Sequence, residues 1–402
     1  MLEFIRQLCK DQKKFMLMCL GFSFLITLDY GCLRPAAQGL FITHFGSKYL
    51  PWVWLASLPI NFFIVAFINK LQSRFGSKAV SFSCPWIVIV INGVLSLVMG
   101  SHKGAALVLY MWKDLYILLM FQQIWSQIHA SMSQNVGRYF YGAMYAVGAL
   151  GSLVGSSIPA LLKFPPSSYL LCTLWIYPLV AFIQIRLAQN SLHAPLEKKP
   201  SSQSMDGVKQ VLAHSELITI ALLVAFMQMV AALSEFNFSF HLEHQFQDLV
   251  SRTQKSASMM SGLQAITLSL QLLLTFFSIE KLGVKKGHLF IPLIISFSSG
   301  CYLLFPSFQT ASINYMSCKS LDFSLFSVLK ERLYAPLDKA FKYEAKAFID
   351  IFIYRGAKTL MSLGLIIFGS LHSSLFFGIL LFALAITWFM VAHFRLKNFS
   401  VS

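Results

Sequence analysis

Twelve separate runs of about twenty mostly apolar residues constrain this chain more than any other feature. They fall near 15–33, 50–68, 79–99, 104–125, 139–161 and 168–188, and then near 216–236, 258–279, 287–305, 309–329, 355–371 and 373–394. A hydrocarbon layer about 30 Å thick is crossed by about 20 residues rising 1.5 Å each. In lipid every backbone N–H and C=O must be satisfied within its own element, so such runs fold as helices. The expectation is an all-α integral membrane protein with about twelve transmembrane helices, six and six.

Composition agrees. Of 402 residues, 56% are hydrophobic and only 12% are charged, where soluble domains carry about 25% charged residues. The chain has too little polar surface to cover its apolar groups in water. The first run, Phe15 to Leu33, is too long for a signal-peptide core and lacks a small-x-small cleavage site, so it reads as the first span.

The polar, Ser/Pro-containing stretch from Gln189 to Lys209 separates the two sets of six. It divides the chain into an N-terminal half (1–188), a cytoplasmic linker (189–215) and a C-terminal half (216–402).

Lys and Arg number 32 against 16 Asp and Glu. Such an excess would suit nucleic acid if it formed a stripe interleaved with aromatic residues. Instead the cations collect in alternate loops: 24 lie in one set of segments, including both termini, and 6 in the other. The positive-inside rule then puts both termini in the cytoplasm. The expected partners are the bilayer and a small solute, with no nucleic acid and a monomeric protein.

The halves repeat a loop. Ser73-Arg74-Phe75-Gly76-Ser77-Lys78 joins spans two and three, and Glu280-Lys281-Leu282-Gly283-Val284-Lys285 joins spans eight and nine. This pattern resembles the cytoplasmic signature of major facilitator transporters, in which a tight turn carries a charge clamp. The resemblance implies a major-facilitator-like arrangement of the two six-helix halves.

Ionisable residues inside a span are expensive and normally face a cavity or a partner. Here they are Asp29 in span one, Lys113 and Asp114 in span four, Glu235 late in span seven, and Lys319 and Asp322 in span ten. Lys319 and Asp322 are three apart and share a helix face. Lys113 and Asp114 are about 100° apart around the helix, which predicts different directions for the two. Gln122, Gln123, Ser126 and Gln127 continue span four as a hydrogen-bonding stripe, and Gly151-x-x-x-Gly155 in span five suits close helix packing.

Other features carry less. The seven cysteines are scattered, without a CxxC pair, and read as small core residues. His241 and His244 are three apart with no third ligand nearby and read as a solvated outer loop, not a metal site.

The most specific stretch is Lys330-Glu331-Arg332-Leu333-Tyr334-Ala335-Pro336-Leu337-Asp338, continuing through Lys342, Lys346, Ala347, Ile349, Asp350, Arg355 and Lys358. It resembles the K-E-x-x-Y-x-P-L-D and K-x-x-x-K-A-x-I-D signature of the bacterial and plastid ATP/ADP translocases. Asp29-Tyr30-Gly31-Cys32-Leu33-Arg34 is similar to that family's N-Y-x-x-L-R segment, and Arg138-Tyr139-Phe140-Tyr141 to its K-x-F-Y segment.

The resemblance implies a transporter in a bacterial inner membrane, not an enzyme, exchanging nucleotides or related phosphorylated anions by alternating access without metal or cofactor. It implies Arg34, Lys113 and Lys319 as anion contacts, and Asp29, Asp114, Glu235 and Asp322 as charge partners or gates. Lys330, Glu331, Tyr334, Pro336, Asp338, Lys346 and Asp350 are the family signature. A family lysine falls at Ala37, a second at Asp322, and the acidic position of span four near Lys113, which leaves the substrate open.

Two rival readings remain. One is a facilitator-type proton-coupled carrier of an unrelated small molecule; the exchange reading itself also has a proton-coupled version, with Asp29 or Glu235 as the carrier. The other is a polytopic membrane transferase, which would want its polar cluster at one membrane face.

Overall fold

The computed structural model describes residues 10–99, 102–131, 134–190, 211–276, 283–334, 345–346, 348–368 and 373–397. Among these residues there are helices and no strands, as satisfying the backbone in lipid requires. The helices are α1 (Lys10–Phe45), α2 (Leu50–Phe75), α3 (Ser77–Val98), α4 (Lys103–Ser131), α5 (Gln134–Leu161), α6 (Pro166–Thr173) and α7 (Ile176–Asn190). They continue with α8 (Ser215–Gln245), α9 (Leu249–Phe276), α10 (Val284–Leu304), α11 (Phe308–Leu321), α12 (Ser327–Tyr334), α13 (Tyr354–Ile367) and α14 (Ser374–Lys397).

Nine spans among the described residues are long and apolar enough to cross a membrane, with α6 and α7 together making one of them. The remaining three are α9, the broken helix formed by α11 and α12, and α13, which occupy the expected positions of spans eight, ten and eleven. The architecture is therefore an all-α membrane fold of about twelve spans.

Span ten is broken by a π-helical segment, Asp322–Phe326, and span eleven opens on a second one, Ile349–Ile353. Each adds a residue to the turn and so rotates the rest of its helix around the axis. Ser327 Oγ donates to the Asp322 carbonyl at 2.7 Å, satisfying a backbone group that the wider turn displaces. A reciprocal cap starts α11: Ser307 Oγ accepts the Thr310 N–H at 3.2 Å, and Thr310 Oγ1 accepts the Ser307 N–H at 3.1 Å.

The repeated loops have repeated backbones. Gly76 and Gly283 sit at φ +85° and +70°, each as the residue before the next helix. Glycine reaches that region without the Cβ clash other residues meet. Residues 280–282 of the second copy lie outside the described residues.

Span one differs from expectation. The sequence suggests an end near Arg34-Pro35, yet α1 is 36 residues long and carries Pro35 inside it. A membrane helix tolerates proline when its neighbours re-satisfy or enclose the freed carbonyl. Arg34, which the run lengths would put in an outer loop, is therefore inside the first helix. At this level Ser152 of α5 lies against Gly31, where a Cβ would come within 2.5 Å of the Ser152 carbonyl. Gly151 and Gly155 lie as tightly on Phe24 and Leu28, so the small-residue face of span five does pack against α1.

Two compact units result. Unit 1 comprises Met1–Phe45, Pro59–Glu197 and Phe246–Ala265, and unit 2 comprises Gly46–Leu58, Lys198–Gln245 and Ile266–Ser402. Helices α2 and α9 are thus each shared between the units. In unit 2 the chain before α2 is fixed on α8, where Glu243 accepts the Ser47 N–H at 2.6 Å and its hydroxyl at 2.5 Å. In unit 1 the start of α9 is fixed on α1, where Arg252 donates to Thr43 Oγ1 at 3.0 Å and Ser256 to Gln38 at 2.8 Å. Asp248 takes the Ser251 N–H at 2.7 Å ahead of α9, and these bonds hold its carboxyl below the usual range.

Candidate functional site

In unit 1 the charged residues of spans one and four form two adjoining groups. The outer group joins Tyr30, Arg34, Lys113 and Asp114. Asp114 accepts the Tyr30 hydroxyl at 2.8 Å on one oxygen and the Lys113 ammonium at 2.7 Å on the other. The Lys113 side chain is 4% exposed and that of Asp114 is 51% exposed. The helix does aim these neighbours apart, as their spacing predicts, but the four-carbon lysine stem folds back to pair them. Lys113 also lies 4.2 Å from the Tyr110 ring centroid, and the Arg34 guanidinium 5.8 Å from that of Tyr30.

The inner group is built around Asp29, which is fully buried. Tyr116 of α4 donates to Asp29 Oδ2 at 2.5 Å, and Tyr177 of α7 donates to the same oxygen. Asp29 Oδ1 has no hydrogen-bond partner among the described residues.

The polar stripe of span four divides. Gln123 faces inward, donating to Cys84 Sγ at 2.9 Å and accepting from Gln184 at 3.1 Å, whereas Gln122 reaches Asn69 at 3.4 Å. Gln123 therefore serves packing among α3, α4 and α7 and does not line an open path.

In unit 2 the Asp322 carboxylate opens the π segment of span ten. It is buried, accepts the Gln228 amide of α8 at 3.1 Å, and lies within the field of Lys319 and Lys330. Lys319 is 8% exposed, with its ammonium 5.6 Å from the Phe323 ring centroid. Earlier on span ten, Asn314 joins Ser234, Ser298 and Ser299 in a buried network with contacts of 2.7–3.0 Å.

Glu235 of α8 pairs with Lys358 of α13 at 3.3 Å, and that ammonium sits 4.3 Å from the Trp54 ring centroid. Lys358 stands out in the sequence only as the end of the signature stretch. Its partnership with Glu235, 123 residues away, has no local signal.

The signature residues are themselves cross-linked. Lys330 pairs with Asp350 at 2.8 Å and Glu331 with Lys346 at 2.5 Å, joining α12 to the second π segment and the residues just before it. Tyr334 is fully buried beneath Lys346, whose ammonium is 5.6 Å from its ring centroid. Pro336 and Asp338 lie outside the described residues, as does most of the 189–215 linker.

His241 and His244 are not in a loop but on the last turns of α8. His241 Nε2 meets the Tyr302 hydroxyl at 2.9 Å, and His244 Nδ1 meets the Phe240 carbonyl at 2.8 Å. The helix there continues past the last strongly hydrophobic run, which is why the sequence suggests an earlier end.

A half-buried arginine and a buried lysine beside tyrosines, with carboxylates close by, make a polar group inside a membrane bundle, where ionisable residues are costly. The fold is that of facilitator-type transporters. Solved structures similar to this chain include the nucleoside transporter NupG in a mutant form, with 13% identity over 95% of this chain and 99% of that one and a TM-score of 0.70. The D-xylose-proton symporter is 13% identical, over 96% and 97% of the two chains, with a TM-score of 0.64. The POT family transporter PepTSo is 12% identical, over 96% and 99%, with a TM-score of 0.70.

Residues 304–399 match the sequence profile of the TLC ATP/ADP transporter family. The matched segment contains Lys319, Asp322, the Lys330–Asp350 clamp and Lys358. No curated protein is similar to the chain at a significant level. The chain is thus a multi-pass membrane protein with a transporter fold, and its C-terminal quarter carries the ATP/ADP-transporter signature.

Proposed function

We propose that this protein exchanges nucleotides or closely related phosphorylated solutes across a membrane by alternating access. The observation that carries this reading is Lys319: a buried intramembrane ammonium within the stretch that matches the ATP/ADP transporter family. Arg34 and Lys113 are the corresponding anion contacts on spans one and four. Asp114, Glu235 and Asp322 balance the fixed cations, and Glu235 does so through Lys358.

The charge balance favours a lightly charged substrate. Lys113 already has the Asp114 carboxylate at 2.7 Å, and Lys319 and Asp322 lie in the same field. A triphosphate, with about four negative charges, wants several fixed cations with no such neighbours, whereas a monophosphate or diphosphate needs fewer.

The halves 1–188 and 216–402, joined by the 189–215 linker, are the bodies that rock in this reading. The 24-to-6 bias of Lys and Arg supports cytoplasmic termini, and a monomer in a bacterial inner membrane completes the reading.

Counterflow tests the proposal. Proteoliposomes loaded in turn with adenosine, AMP, ADP, ATP and sugar phosphates are given the labelled solute outside at equal pH. AMP or ADP is expected to accelerate entry more than ATP. Lys319→Ala and Lys113→Ala should each weaken the active solute by about 10- to 100-fold in KM, the equivalent of losing one hydrogen bond to a charged group. Absence of exchange for every phosphorylated solute overturns the reading.

A further inference from the structure

We infer that Asp29 takes up and releases a proton in each transport cycle, so that solute movement is coupled to proton movement. This rests on the transport reading but not on the identity of the solute.

Asp29 keeps company that suits an acid. Helix α1 packs against α4, α5, α6 and α7 in unit 1. From α4 comes the Tyr116 hydroxyl, and from α7 the Tyr177 hydroxyl. From α6 comes Thr173, with its hydroxyl proton given to the Leu170 carbonyl at 3.1 Å, and on α1 itself Cys32 lies near. Helix α5 meets α1 here through Ser152 and its glycines. None of these groups is a cation, and among the described residues no lysine, arginine or histidine lies within ion-pair distance of the Asp29 carboxyl. An ionised carboxylate buried without a counter-ion costs several kcal/mol even after its surroundings relax.

Its two oxygens are also used unequally. Both tyrosines donate to Oδ2, while the buried Oδ1 receives nothing. A carboxylate shares its charge equally, so a bare oxygen in an apolar site wastes half of it. A carboxylic acid has two unlike oxygens: a carbonyl that accepts two hydrogen bonds and a hydroxyl that accepts weakly or not at all. The geometry suits the acid, with Oδ2 as carbonyl and Oδ1 as the proton-bearing oxygen, because the Thr173 hydroxyl beside the carboxyl has given its own proton to Leu170 and is left able to accept one.

The other intramembrane carboxylates differ. Glu235 has the Lys358 ammonium at 3.3 Å, and Asp322 has the Gln228 amide and two lysines in its field. Each has cationic charge to offset its own, whereas Asp29 has none and is enclosed here as the acid. In the cycle, a proton from water on one side converts the Asp29 carboxylate to the acid and lets the site close. When the site opens to the other side, the hydrated carboxyl gives the proton up. The site then reorients with Asp29 as a hydrated carboxylate, so that one proton crosses per cycle and Asp29 returns to its starting form.

Two measurements on the full chain in lipid decide the matter. Infrared difference spectra of the wild type against Asp29→Asn are expected to show the loss of a protonated-carboxyl C=O band at neutral pH. This readout needs no substrate, and an unchanged band overturns the inference. Uptake of labelled AMP and ADP is then driven by an inside-alkaline gradient. One pH unit should raise accumulation in the wild type about tenfold, and the gradient should do nothing for Asp29→Asn, while Asp29→Glu regains the response.

Accumulation indifferent to the gradient in the wild type, or still driven by it in Asp29→Asn, overturns the inference. Return of the gradient response in Asp29→Glu separates loss of coupling from loss of transport. Failure of counterflow in the wild type strikes the transport reading alone and leaves the infrared result to decide Asp29.

Discussion

The two units solve the problem of a buried carboxylate in opposite ways. In unit 1, Asp29 is enclosed by two tyrosine hydroxyls on a single oxygen. In unit 2, Glu235 is met by a lysine, and Asp322 by an amide and two nearby ammonium groups. A hydroxyl donor serves an acid and an anion alike, so the tyrosine site tolerates a change of protonation. A cation serves only the anion, so the lysine sites resist one. The difference assigns proton handling to one unit and fixed charge to the other.

The largest effect that would sharpen this comparison is at Lys358. Lys358→Ala takes the ammonium away from the buried Glu235 carboxylate, and should destabilise by about 1–3 kcal/mol, below the roughly 3–5 kcal/mol of a fully enclosed pair. The discount reflects the ammonium side chain, which is 34% exposed. A thermal unfolding midpoint in detergent reads it, and Lys358→Met with Glu235→Gln should recover most of the loss.

A smaller effect is expected at the signature clamp. Lys330→Ala should cost about 1 kcal/mol, because both partners keep some water. Exchanging the charges in the double variant Lys330→Asp, Asp350→Lys should restore stability yet leave transport impaired, since Lys330 also acts on Asp322. Full recovery of transport would show that the clamp only fastens α12 to span eleven.

The smallest effect decides the comparison most directly. Tyr177→Phe removes one of two donors to Asp29. If Asp29 is an acid the loss is about 0.5–1.5 kcal/mol, and if it is an anion about 1.5–3 kcal/mol. A drop above about 1.5 kcal/mol would break the distinction between the units.

A further prediction concerns Asp248, outside the spans. Its carboxyl lies below the usual range in the folded protein because of the Ser251 bonds. The stabilisation is therefore present above the unfolded value and lost as pH falls through the folded one. Asp248→Ala should lower the unfolding midpoint at neutral pH, and the two proteins should converge in acid.

Much of this was legible in the chain. Apolar run lengths set the number of spans, because lipid forces each run to satisfy its own backbone. Gly76 and Gly283 announced the repeated turn, because few other residues adopt positive φ there. Gly151 and Gly155 announced a close helix contact.

Local pattern was less informative at helix ends and breaks. The apolar run ending at Leu33 suggested an end that α1 does not have, and His241 and His244 suggested a loop that is helix. The π segments at 322–326 and 349–353 left no mark that hydropathy could reveal.

The sequence by itself determined an all-α membrane protein of about twelve spans with charges inside them, since burial of apolar runs and the expense of intramembrane charge are properties of single segments. Only the tertiary structure decided which charges meet. That Glu235 takes Lys358, that Lys113 folds back on Asp114, and that Asp29 has tyrosines for neighbours depend on how side chains settle once the helices lie side by side. A hydrogen bond or ion pair is settled over about 3 Å, a distance that spacing along one helix does not specify.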